Sequence, residues 1–504
     1  MFLQLLPVEL ITEVLKFLGY RDLLHCRQVC YLLHRIVDEN VSCRYSIELA
    51  AAAMEDGPSG SVGAATRLAI LRSSQAAWNA LDWKEALDLP MQNGNLWELY
   101  GGVLAQSNGT DKLQFLRLPS HYREIRKHIW TISLPGIHLR DFTMDPSQGL
   151  LVLIARPQVE DHPQEARLVT TIHLRTVTTG CAHPLAANPS FLQHAIDVCG
   201  DRLAVHFLCQ GSIPSELVVW NWKTGQLVLN IFDSGLNAAT FLEERYLLVG
   251  ILSNVSTMGV EPHLYVLDLE CASAERRGFD CVEYKCGFSY PALLSWVQPL
   301  HLSIQSSPWC PPHPASRVPF SVGQNSRLLV ITLRVSADHI ISYDLFVLSS
   351  TIVSLVDNLD RGHNINGHIY PWEEWGPAGT RLITSSLRSR IWVCFVFGTR
   401  FATIRANTSR DICRLEVWDF NQLVIRRDGP GEPRTLGTEW CVEEHLLDGG
   451  TFKGEVCTRL PFKYSSRTLP PRTRGGPAFV EVMCSEDNLI LVDRESRVFR
   501  ILTF

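Results

Sequence analysis

Residues that could support catalysis are few, and their spacing matches no catalytic motif. The chain contains no GxSxG nucleophile elbow, P-loop, GxGxxG fingerprint or HExxH zinc motif. The strongest cluster is His363, His368, Glu373 and Glu374, whose side chains suit metal binding or acid–base chemistry. They follow one another in a glycine-rich stretch, where a solvated turn is the more typical role. We therefore predict a protein that is not an enzyme, with no catalytic residue, no cofactor and no metal site.

A second set of possible metal ligands lies near the N-terminus. Cys26, Cys30 and His34 are spaced i, i+4 and i+8, so one helix could carry them on a single face. Three ligands on one helix, with no second cluster elsewhere, are a poor zinc pattern. We therefore interpret Cys30 as a packing residue.

Composition narrows the class of partner. The chain has 504 residues, with 46 Lys and Arg against 52 Asp and Glu, and a net charge of −6. This balance argues against nucleic acid or an anionic membrane as partner. The 15 cysteines form no CxxC pair, which favours free thiols in a reducing compartment. The apolar start lacks a basic segment, which argues against a signal peptide. We predict an intracellular protein, cytoplasmic, nuclear or both.

The most specific pattern lies in residues 6–37, where three short helices are predicted. Pro7 suits a first helical turn and Glu9 complements the helix dipole there. Gly19 is typical of a helix end, and Asp22 can cap the second helix. Because about 30 residues cannot bury a full core alone, we expect a partner or the rest of the chain to cover the apolar surface around Leu6.

This pattern resembles an F-box. The match runs through Leu6, Pro7, Glu9, Leu10, Val14, Leu15, Leu18, Asp22, Leu23, Leu24, Val29 and Cys30. It departs after Cys30, where many F-boxes carry Trp or Phe and this chain has Tyr31, Leu32 and Leu33. The alternative is an ordinary helical subdomain whose apolar face packs internally.

The resemblance implies docking to the Skp-type adaptor of a cullin–RING ubiquitin ligase. The residues to which it assigns adaptor binding are Leu6, Pro7, Val8, Glu9, Leu10, Val14, Leu15, Leu18, Leu23, Leu24, Val29, Cys30 and Leu33.

Residues 39–91 are predicted to form a helical connector. An alanine-rich segment ends at the breaker Asp56-Gly57-Pro58, and a second helix follows with Leu68, Leu71 and Trp78 on one face. The segment is similar to the large F-box families of mushroom-forming fungi, which carry a comparable Asp-Gly-Pro break and Ala-Trp helix. We infer a helical bridge from the F-box to the rest of the chain; the alternative is that these helices belong to the second domain. In both cases the region is structural and not catalytic.

From residue 92 to 504 the pattern changes to short β-strands. An aliphatic strand recurs with a period of about 40–55 residues, which is typical of propeller blades. Its leucines are Leu150, Leu203, Leu247, Leu328, Leu382 and Leu489, with Leu104 as an earlier unit. A second recurring strand ends in an aromatic or aliphatic residue plus Asp or Asn, as in the WD-like Trp220-Asn221-Trp222.

We predict an α+β multidomain chain, in which an F-box (1–38) and a helical connector (39–91) precede an all-β propeller (92–504). Seven blades are predicted, with six or eight as alternatives and a pair of irregular β-sandwiches as another. The last strand, 498–504, is expected to close the ring by pairing near residues 96–101.

Two long segments interrupt the repeat and are predicted to be solvated loops. They span residues 298–319 and 426–478. The first contains Trp309, the exposed aromatic residue that we consider as an interface anchor.

The favoured function is a substrate receptor of a Skp–cullin–F-box ubiquitin ligase, with the adaptor, the cullin and an unidentified protein substrate as partners. A non-degradative F-box scaffold is the first alternative. The second is a propeller enzyme with a fortuitous helical motif, which an acidic cluster in the central pocket would favour.

Overall fold

The structure is a computed structural model. It describes residues 6–58, 62–156, 158–161, 166–169, 171–186, 196–207, 214–256, 259–309, 318–324, 327–361, 367–385, 394–407, 412–428, 438–447, 449–469, 479 and 481–504.

Helices dominate the first 80 residues and then give way to strands. The N-terminal helices are α1 (Val8–Leu15), α2 (Tyr20–Val29), α3 (Tyr31–Glu39), α4 (Val41–Ala51) and α5 (Ala64–Ala80). Three more lie between propeller strands: α6 (Ser349–Arg361), α7 (Trp372–Gly379) and α8 (Gln422–Asp428). Glu373 and Glu374 begin α7, so the glycine-rich turn predicted around them is a helix.

Seven sheets follow one another around a central channel, which confirms the seven-blade propeller. Their strands pair antiparallel, except that the outermost strands of blades 3 and 4 pair in parallel. From the channel outwards, the strands of the first four blades are Trp97–Tyr100, Val103–Ser107, Lys112–Arg117 and His128–Ser133 (blade 1); Leu139–Asp145, Leu150–Ala155 and Ile172–Thr176 (blade 2); Ile196–Cys199, Arg202–Phe207, Ser215–Asn221, Leu227–Asp233 and Arg277–Gly278 (blade 3); and Leu236–Phe241, Tyr246–Ser256, Gly259–Asp268, Cys286–Ser289 and His368–Tyr370 (blade 4).

The remaining blades complete the ring. Their strands are Gln298–Ser306, Leu328–Ser336, Ile340–Leu348 and Thr380–Thr384 (blade 5); Val396–Phe397, Arg400–Asn407, Ile412–Asp419, Phe462–Leu469 and Thr438–Cys441 (blade 6); and Glu481–Cys484, Asn488–Asp493, Val498–Thr503 and Glu85–Pro90 (blade 7). Short pairs outside the blades are Gln158–Asp161 with Ala166–Val169, Met54–Asp56 with Phe320–Val322, and His445–Leu447 with Val456–Thr458.

Ring closure differs from the prediction. The C-terminal strand Val498–Thr503 pairs antiparallel with Glu85–Pro90 and not with a strand near residues 96–101. Trp97–Tyr100 is instead the inner strand of blade 1. The closing strand therefore lies upstream of residue 92, within the segment that the sequence assigned to the connector. One N-terminal strand in a C-terminal sheet ties the two ends of the propeller together.

The recurring aliphatic strand marks the second strand of most blades. Leu104, Leu150, Leu203, Leu247, Leu328 and Leu489 all lie in second strands. Leu382 was misassigned: it lies in the outer strand of blade 5. The second strand of blade 6 is Arg400–Asn407, whose alternating polar residues hid it from the aliphatic pattern.

The predicted loops contain blade strands. Gln298–Ser306 is the inner strand of blade 5, and Phe462–Leu469 pairs with Ile412–Asp419 in blade 6. Trp309 is half-buried against the core between blades 3 and 4, and the Arg327 guanidinium carbon lies 5.4 Å from the centre of its ring. It is therefore not the exposed anchor that we considered.

The WD-like turn in blade 3 shows how local chemistry reverses the chain. The Asn221 side-chain oxygen accepts hydrogen bonds from the backbone N–H groups of Lys223 (3.1 Å) and Thr224 (3.0 Å). Gly225 then adopts a φ of +75°, a conformation that glycine takes without steric cost. The turn returns the chain into Leu227–Asp233.

Burial follows the blade interfaces. Each pair of neighbouring blades shares one apolar cluster, including Leu99 with Ile490 between blades 1 and 7. A continuous ring of contacts of this kind stabilises the propeller through burial of aliphatic surface.

The cysteines that the structure describes are free thiols. Within the described ranges, no helix is long and apolar enough to cross a membrane.

Candidate functional site

Helix α1 has two apolar faces that meet different environments. Ile11 and Leu15 are buried in a small core with α2, α3 and α4. Leu10 and Val14, one position earlier in each case, point outward and are exposed. The carbonyl oxygen of Pro7 accepts hydrogen bonds from the N–H groups of Leu10 and Ile11, which fixes the start of the helix. The same helix thus supports the fold and presents apolar surface.

The predicted adaptor-binding residues divide into three groups. Those on the surface are Leu6, Pro7, Val8, Glu9, Leu10, Val14 and Val29. Those that are half-buried are Leu18, Leu24 and Cys30. Those in the core are Leu15, Leu23 and Leu33. The surface residues can contact a partner directly, whereas the core residues hold the surface residues in position. The role of all three groups in adaptor binding stays a prediction.

Two large side chains on this surface were missed as candidates. Phe17 is 88% exposed and Tyr31 is 80% exposed. Phe17 lies in the turn just after α1, where its N–H donates to the carbonyl oxygen of Val14 at 3.2 Å. Its spacing of three positions from Val14 and seven from Leu10 was the signal in the sequence. We call Leu6, Val8, Leu10, Val14, Phe17, Val29 and Tyr31 the exposed apolar set.

An ion pair holds α2 against α3 beside this set. Arg27 donates to both carboxylate oxygens of Asp38, at 2.7 and 3.0 Å. The guanidinium lowers the pKa of Asp38 below its usual range. The pair is solvent-exposed, so it orients the helices more than it stabilises them.

The structure separates the possible metal ligands of this region. The backbone of Cys30 is extended, with φ −159° and ψ 162°, so it breaks the chain into α2 and α3. Cys26 and His34 therefore lie on different helices, contrary to the single face considered from sequence. Among the described residues, no three His, Cys, Asp or Glu side chains are placed to hold a metal ion. His363 of the other candidate cluster lies outside the described residues.

Helix α4 joins the first three helices to the propeller. Cys43 and Ile47 pack into the core with α1–α3. Tyr45 and Leu49, on another face, pack with α5 and with Phe320 of the propeller domain. The Tyr45 hydroxyl also donates to Asp56 at 2.6 Å.

Arg67 of α5 holds the Asp56-Gly57-Pro58 segment in place by hydrogen bonds. Its side chain is buried and donates to the carbonyl oxygens of Pro58 (2.7 Å) and Pro319 (3.2 Å) and to the carboxylate of Asp56 (2.5 Å). Met54–Asp56 pairs with Phe320–Val322 beside it. The connector is thus hydrogen-bonded to the propeller along its length.

The end of α5 is seated on blades 6 and 7. The ring of Trp78 stacks on the ring of Phe504, with centroids 4.0 Å apart. The guanidinium carbon of Arg400 lies 4.2 Å from the centroid of the Trp78 ring. Leu81 is fully buried in the same cluster, and Arg467 donates to its carbonyl oxygen at 2.6 Å.

A cavity of about 270 Å³ lies among the inner strands of the propeller. The inner strands of blades 1 to 5 contribute polar side chains to it. These are Glu98, Asp141, Thr143, Asp197, Asn237, Thr240, His301 and Ser303. Further polar lining residues are Tyr100, His206, Gln305, Ser306, Ser307 and Cys394.

The three cavity carboxyls have raised pKa values. Burial, reinforced by the charges of Asp141 and Asp197, raises the pKa of Glu98 to about 8. Burial also raises the pKa of Asp141 and of Asp197. Asp197 accepts hydrogen bonds from the Thr240 hydroxyl (3.1 Å) and the Phe241 N–H (3.2 Å), which tie blade 3 to blade 4. Sequence reasoning did not select any of these residues.

Comparison with known proteins supports the N-terminal assignment. Residues 3–45 match the model of the F-box-like family. No curated protein matches the chain. Solved structures similar to it include the Dos1 propeller (10% identity, 84% of this chain and 96% of that chain, TM-score 0.35), the designed protein Ika8 (8%, 81% and 96%, 0.32) and the polysaccharide lyase Uly1 (8%, 81% and 90%, 0.36). These TM-scores are low, so the propeller assignment depends on the strand order of this chain alone.

Proposed function

We propose that this chain, F-box-like at its N-terminus and a seven-blade propeller beyond, is the substrate-recruiting subunit of a Skp–cullin–F-box ubiquitin ligase. The F-box docks the Skp-type adaptor, which connects to the cullin, and the propeller binds a protein target. The chain itself is non-catalytic, and ubiquitin transfer belongs to the other subunits.

The observation that carries this proposal is the exposed apolar set on α1–α3. Exposed apolar groups of this size on one small unit are typical of interaction sites. Burying each large aliphatic or aromatic side chain contributes about 1.5–3 kcal/mol before the cost of association. Several such residues, together with the F-box-like match at residues 3–45, favour a protein adaptor as the partner.

The connection between the two parts supports a recruiting role. Because α4 packs on both the first three helices and the propeller side, the target and the adaptor are held at a fixed separation. Holding a substrate near the conjugating machinery raises its effective concentration there.

Co-purification of the full chain with a Skp-type adaptor tests the proposal. We expect a stoichiometric complex for the wild type and loss of binding, by about 100-fold, for Leu10→Asp combined with Val14→Asp, because two charges would enter an apolar interface. The matched control is Leu446→Asp in the propeller, since Leu446 (56%) and Leu10 (53%) are equally exposed.

The control should bind like the wild type, and all three proteins should keep the same melting temperature. A well-folded wild type that does not bind the adaptor would overturn the proposal. Binding that is unaffected by the double substitution would also place the adaptor on another surface.

A second candidate function is a propeller enzyme, which the cavity carboxyls favour. A carboxyl with a pKa near 8 beside a second carboxyl resembles an acid–base pair. The adaptor experiment separates the two, because an enzyme with a fortuitous helical motif would not bind the adaptor. Cullin association and target turnover then separate a degradative receptor from a scaffold.

A further inference from the structure

A second cavity, which we call the blade 4 pocket, lies where strands of blade 4 meet the start of α7. Its volume is about 190 Å³, enough for the end of one long side chain. Its walls come from the beginning of strand Gly259–Asp268, the segment after Cys286–Ser289, and α7. The lining includes Glu261, His263, Pro291, Pro371, Trp372 and Glu373.

The blade 4 pocket lies on the face of the propeller opposite to the connector. Because successive strands of a blade run antiparallel, the links between first and second strands lie at one face and those between second and third strands at the other. The connector strand Met54–Asp56 pairs with Phe320–Val322, which lies between the first two strands of blade 5. The blade 4 pocket instead contains the start of the third strand of blade 4. A partner can therefore enter it without meeting the connector.

Helix α7 presents a fixed aromatic wall. Trp375 donates from its indole N–H to the carbonyl oxygen of Ser289 at 3.0 Å, which holds α7 against blade 4. The ring of Trp372 is buried and packs edge-on against Trp375, with centroids 5.4 Å apart. Gly376, one turn further on, lets the Trp372 ring lie close to the helix, since a Cβ at position 376 would overlap the ring. The indole is thus held in place before any ligand binds.

An imidazole nitrogen in the same lining lacks a partner. His263 is only 7% exposed, and its Nδ1 lies 3.4 Å from the carbonyl oxygen of Glu261. A carbonyl oxygen only accepts, so Nδ1 carries the hydrogen and Nε2 keeps its lone pair. Burial lowers the pKa of His263, so the ring is neutral near pH 7. Among the described residues Nε2 has no hydrogen-bond partner, and unlike Nε2 of His206 it is not closed off by protein atoms. An open acceptor on a buried ring points to a ligand that supplies an N–H group.

Two carboxylates stand at the rim of the blade 4 pocket. Glu261 belongs to the third strand of blade 4 and Glu373 to the first turn of α7, and both side chains are exposed. Within the described ranges of the chain, neither forms an ion pair. The pocket therefore combines negative charge at its entrance with an aromatic ring and a neutral acceptor inside.

We infer that the blade 4 pocket binds an arginine side chain that the recruited protein inserts into it. The guanidinium lies against the Trp372 ring, one of its N–H groups donates to Nε2 of His263, and the others reach the carboxylates of Glu261 and Glu373. Arginine fits this lining better than lysine, because its flat guanidinium stacks on aromatic rings while its edge donates several hydrogen bonds. The inference depends on the proposed function for the source of the arginine.

Calorimetric titration of the full chain tests the inference. The probe is the capped tripeptide acetyl-Ala-Arg-Ala-amide, and two matched probes carry citrulline or lysine in place of arginine. The first variant is Glu261→Gln combined with Glu373→Gln. Its control, Glu85→Gln combined with Glu439→Gln, makes the same change in net charge at exposed glutamates on the outermost strands of blades 7 and 6. A second variant, His263→Phe, removes the acceptor and keeps an aromatic ring.

We expect the wild type to bind the arginine probe at least about tenfold more tightly than either matched probe. The double variant should lose most of that preference, and the control should keep it. His263→Phe should weaken binding of the arginine probe by about tenfold, because one N–H group of the guanidinium loses its acceptor. The melting temperature of each variant establishes that it is folded, and the double variant decides the test if His263→Phe does not fold.

Four results would overturn the inference. They are no arginine binding at millimolar concentration, equal binding of the citrulline or lysine probe, a double variant that binds arginine as tightly as its control, and a folded His263→Phe variant with unchanged affinity. Free agmatine carries the same guanidinium without a peptide. If agmatine binds about tenfold more tightly than the arginine probe, the assignment to a protein side chain is wrong.

Adaptor co-purification of the same samples keeps the two proposals separate. The pocket variants should still bind the adaptor, because Glu261, His263 and Glu373 lie outside α1–α3. A wild type that binds the adaptor but not the arginine probe defeats only the pocket inference. A wild type that binds the arginine probe but not the adaptor defeats the proposed function.

Discussion

The exposed apolar set and the central cavity are built in opposite ways. The first is open and apolar, and its members, from Leu6 to Tyr31, lie close together in sequence. The second is a recess with both polar and apolar lining, and Glu98, Asp141 and Asp197 reach it from three different blades. An open apolar face gains free energy by burial, whereas burial of a carboxyl costs free energy and raises its pKa. The two surfaces are therefore separate regions of the chain with different chemistry.

The largest expected effect concerns the joint between the two regions. Trp78→Ala should lower the free energy of unfolding of the propeller by about 3–5 kcal/mol, because it removes a buried ring that stacks on Phe504. The measurement is urea unfolding followed by circular dichroism. The adaptor should still bind, since Trp78 lies outside α1–α3.

The matched control for this prediction is Trp296→Ala. Trp296 is exposed, so its loss should change the free energy of unfolding by less than about 0.5 kcal/mol. If Trp78→Ala and Trp296→Ala have the same small effect on the free energy of unfolding, the end of α5 does not pack firmly against blades 6 and 7. The N-terminal helices would then be less firmly attached to the propeller.

The contrast between the two surfaces also explains what the sequence could predict. The helical unit could be recognised because its helix starts, its breaker Gly19 and its apolar spacing are all local. Phe17 was missed because it lies between Leu15 and Leu18, the two positions that the F-box resemblance singles out there. Six blades could be counted from the repeated second strand, since that strand is buried on both faces and reads as a continuous aliphatic run. The seventh unit counted, at Leu382, belongs to the outer strand of blade 5, whereas the second strand of blade 6 was not recognised.

Other features depend on contacts that no local pattern encodes. The closing strand Glu85–Pro90 carries little aliphatic signal, because most of it is exposed at the outer edge of blade 7. The cavity was not predicted because one acidic residue in an inner strand has no meaning until the ring brings its counterparts from other blades to the same channel. Arg327 and Trp309 likewise meet only through the fold.

A second prediction separates the two surfaces by pH. The pKa of Glu98 is 4.5 when unperturbed and about 8 in the folded chain. Between pH 4.5 and about pH 8 the Glu98 carboxyl is ionised in the unfolded chain but protonated in the folded chain. The free energy of unfolding therefore falls as pH rises through this range. The loss is complete above about pH 8.

Glu98→Gln should therefore stabilise the propeller by about 1–3 kcal/mol at pH 9 and by much less at pH 5. Repulsion from Asp141 and Asp197 acts in the same direction. Urea unfolding at the two pH values measures the difference, with Glu85→Gln as the control. An equal effect of Glu98→Gln at both pH values would contradict the raised pKa.

The smallest expected effect lies at the start of α4, where α1–α3 meet the propeller side. The Asn40 side-chain oxygen accepts a hydrogen bond from the N–H of Cys43 at 3.0 Å and so caps the helix. Asn40→Ala should lower the free energy of unfolding by about 1 kcal/mol. Asn40→Ser retains a capping oxygen and should lower it by only a few tenths of a kcal/mol. Hydrogen exchange of the Cys43 amide measures the local opening directly. Helix α4 packs against both α1–α3 and the propeller side. If the cap also sets the orientation of α1–α3, Asn40→Ala should weaken adaptor binding as well as speed the exchange of the Cys43 amide. Equal exchange in the alanine and serine variants would show that packing of Tyr45 and Leu49 alone holds the helix start in place.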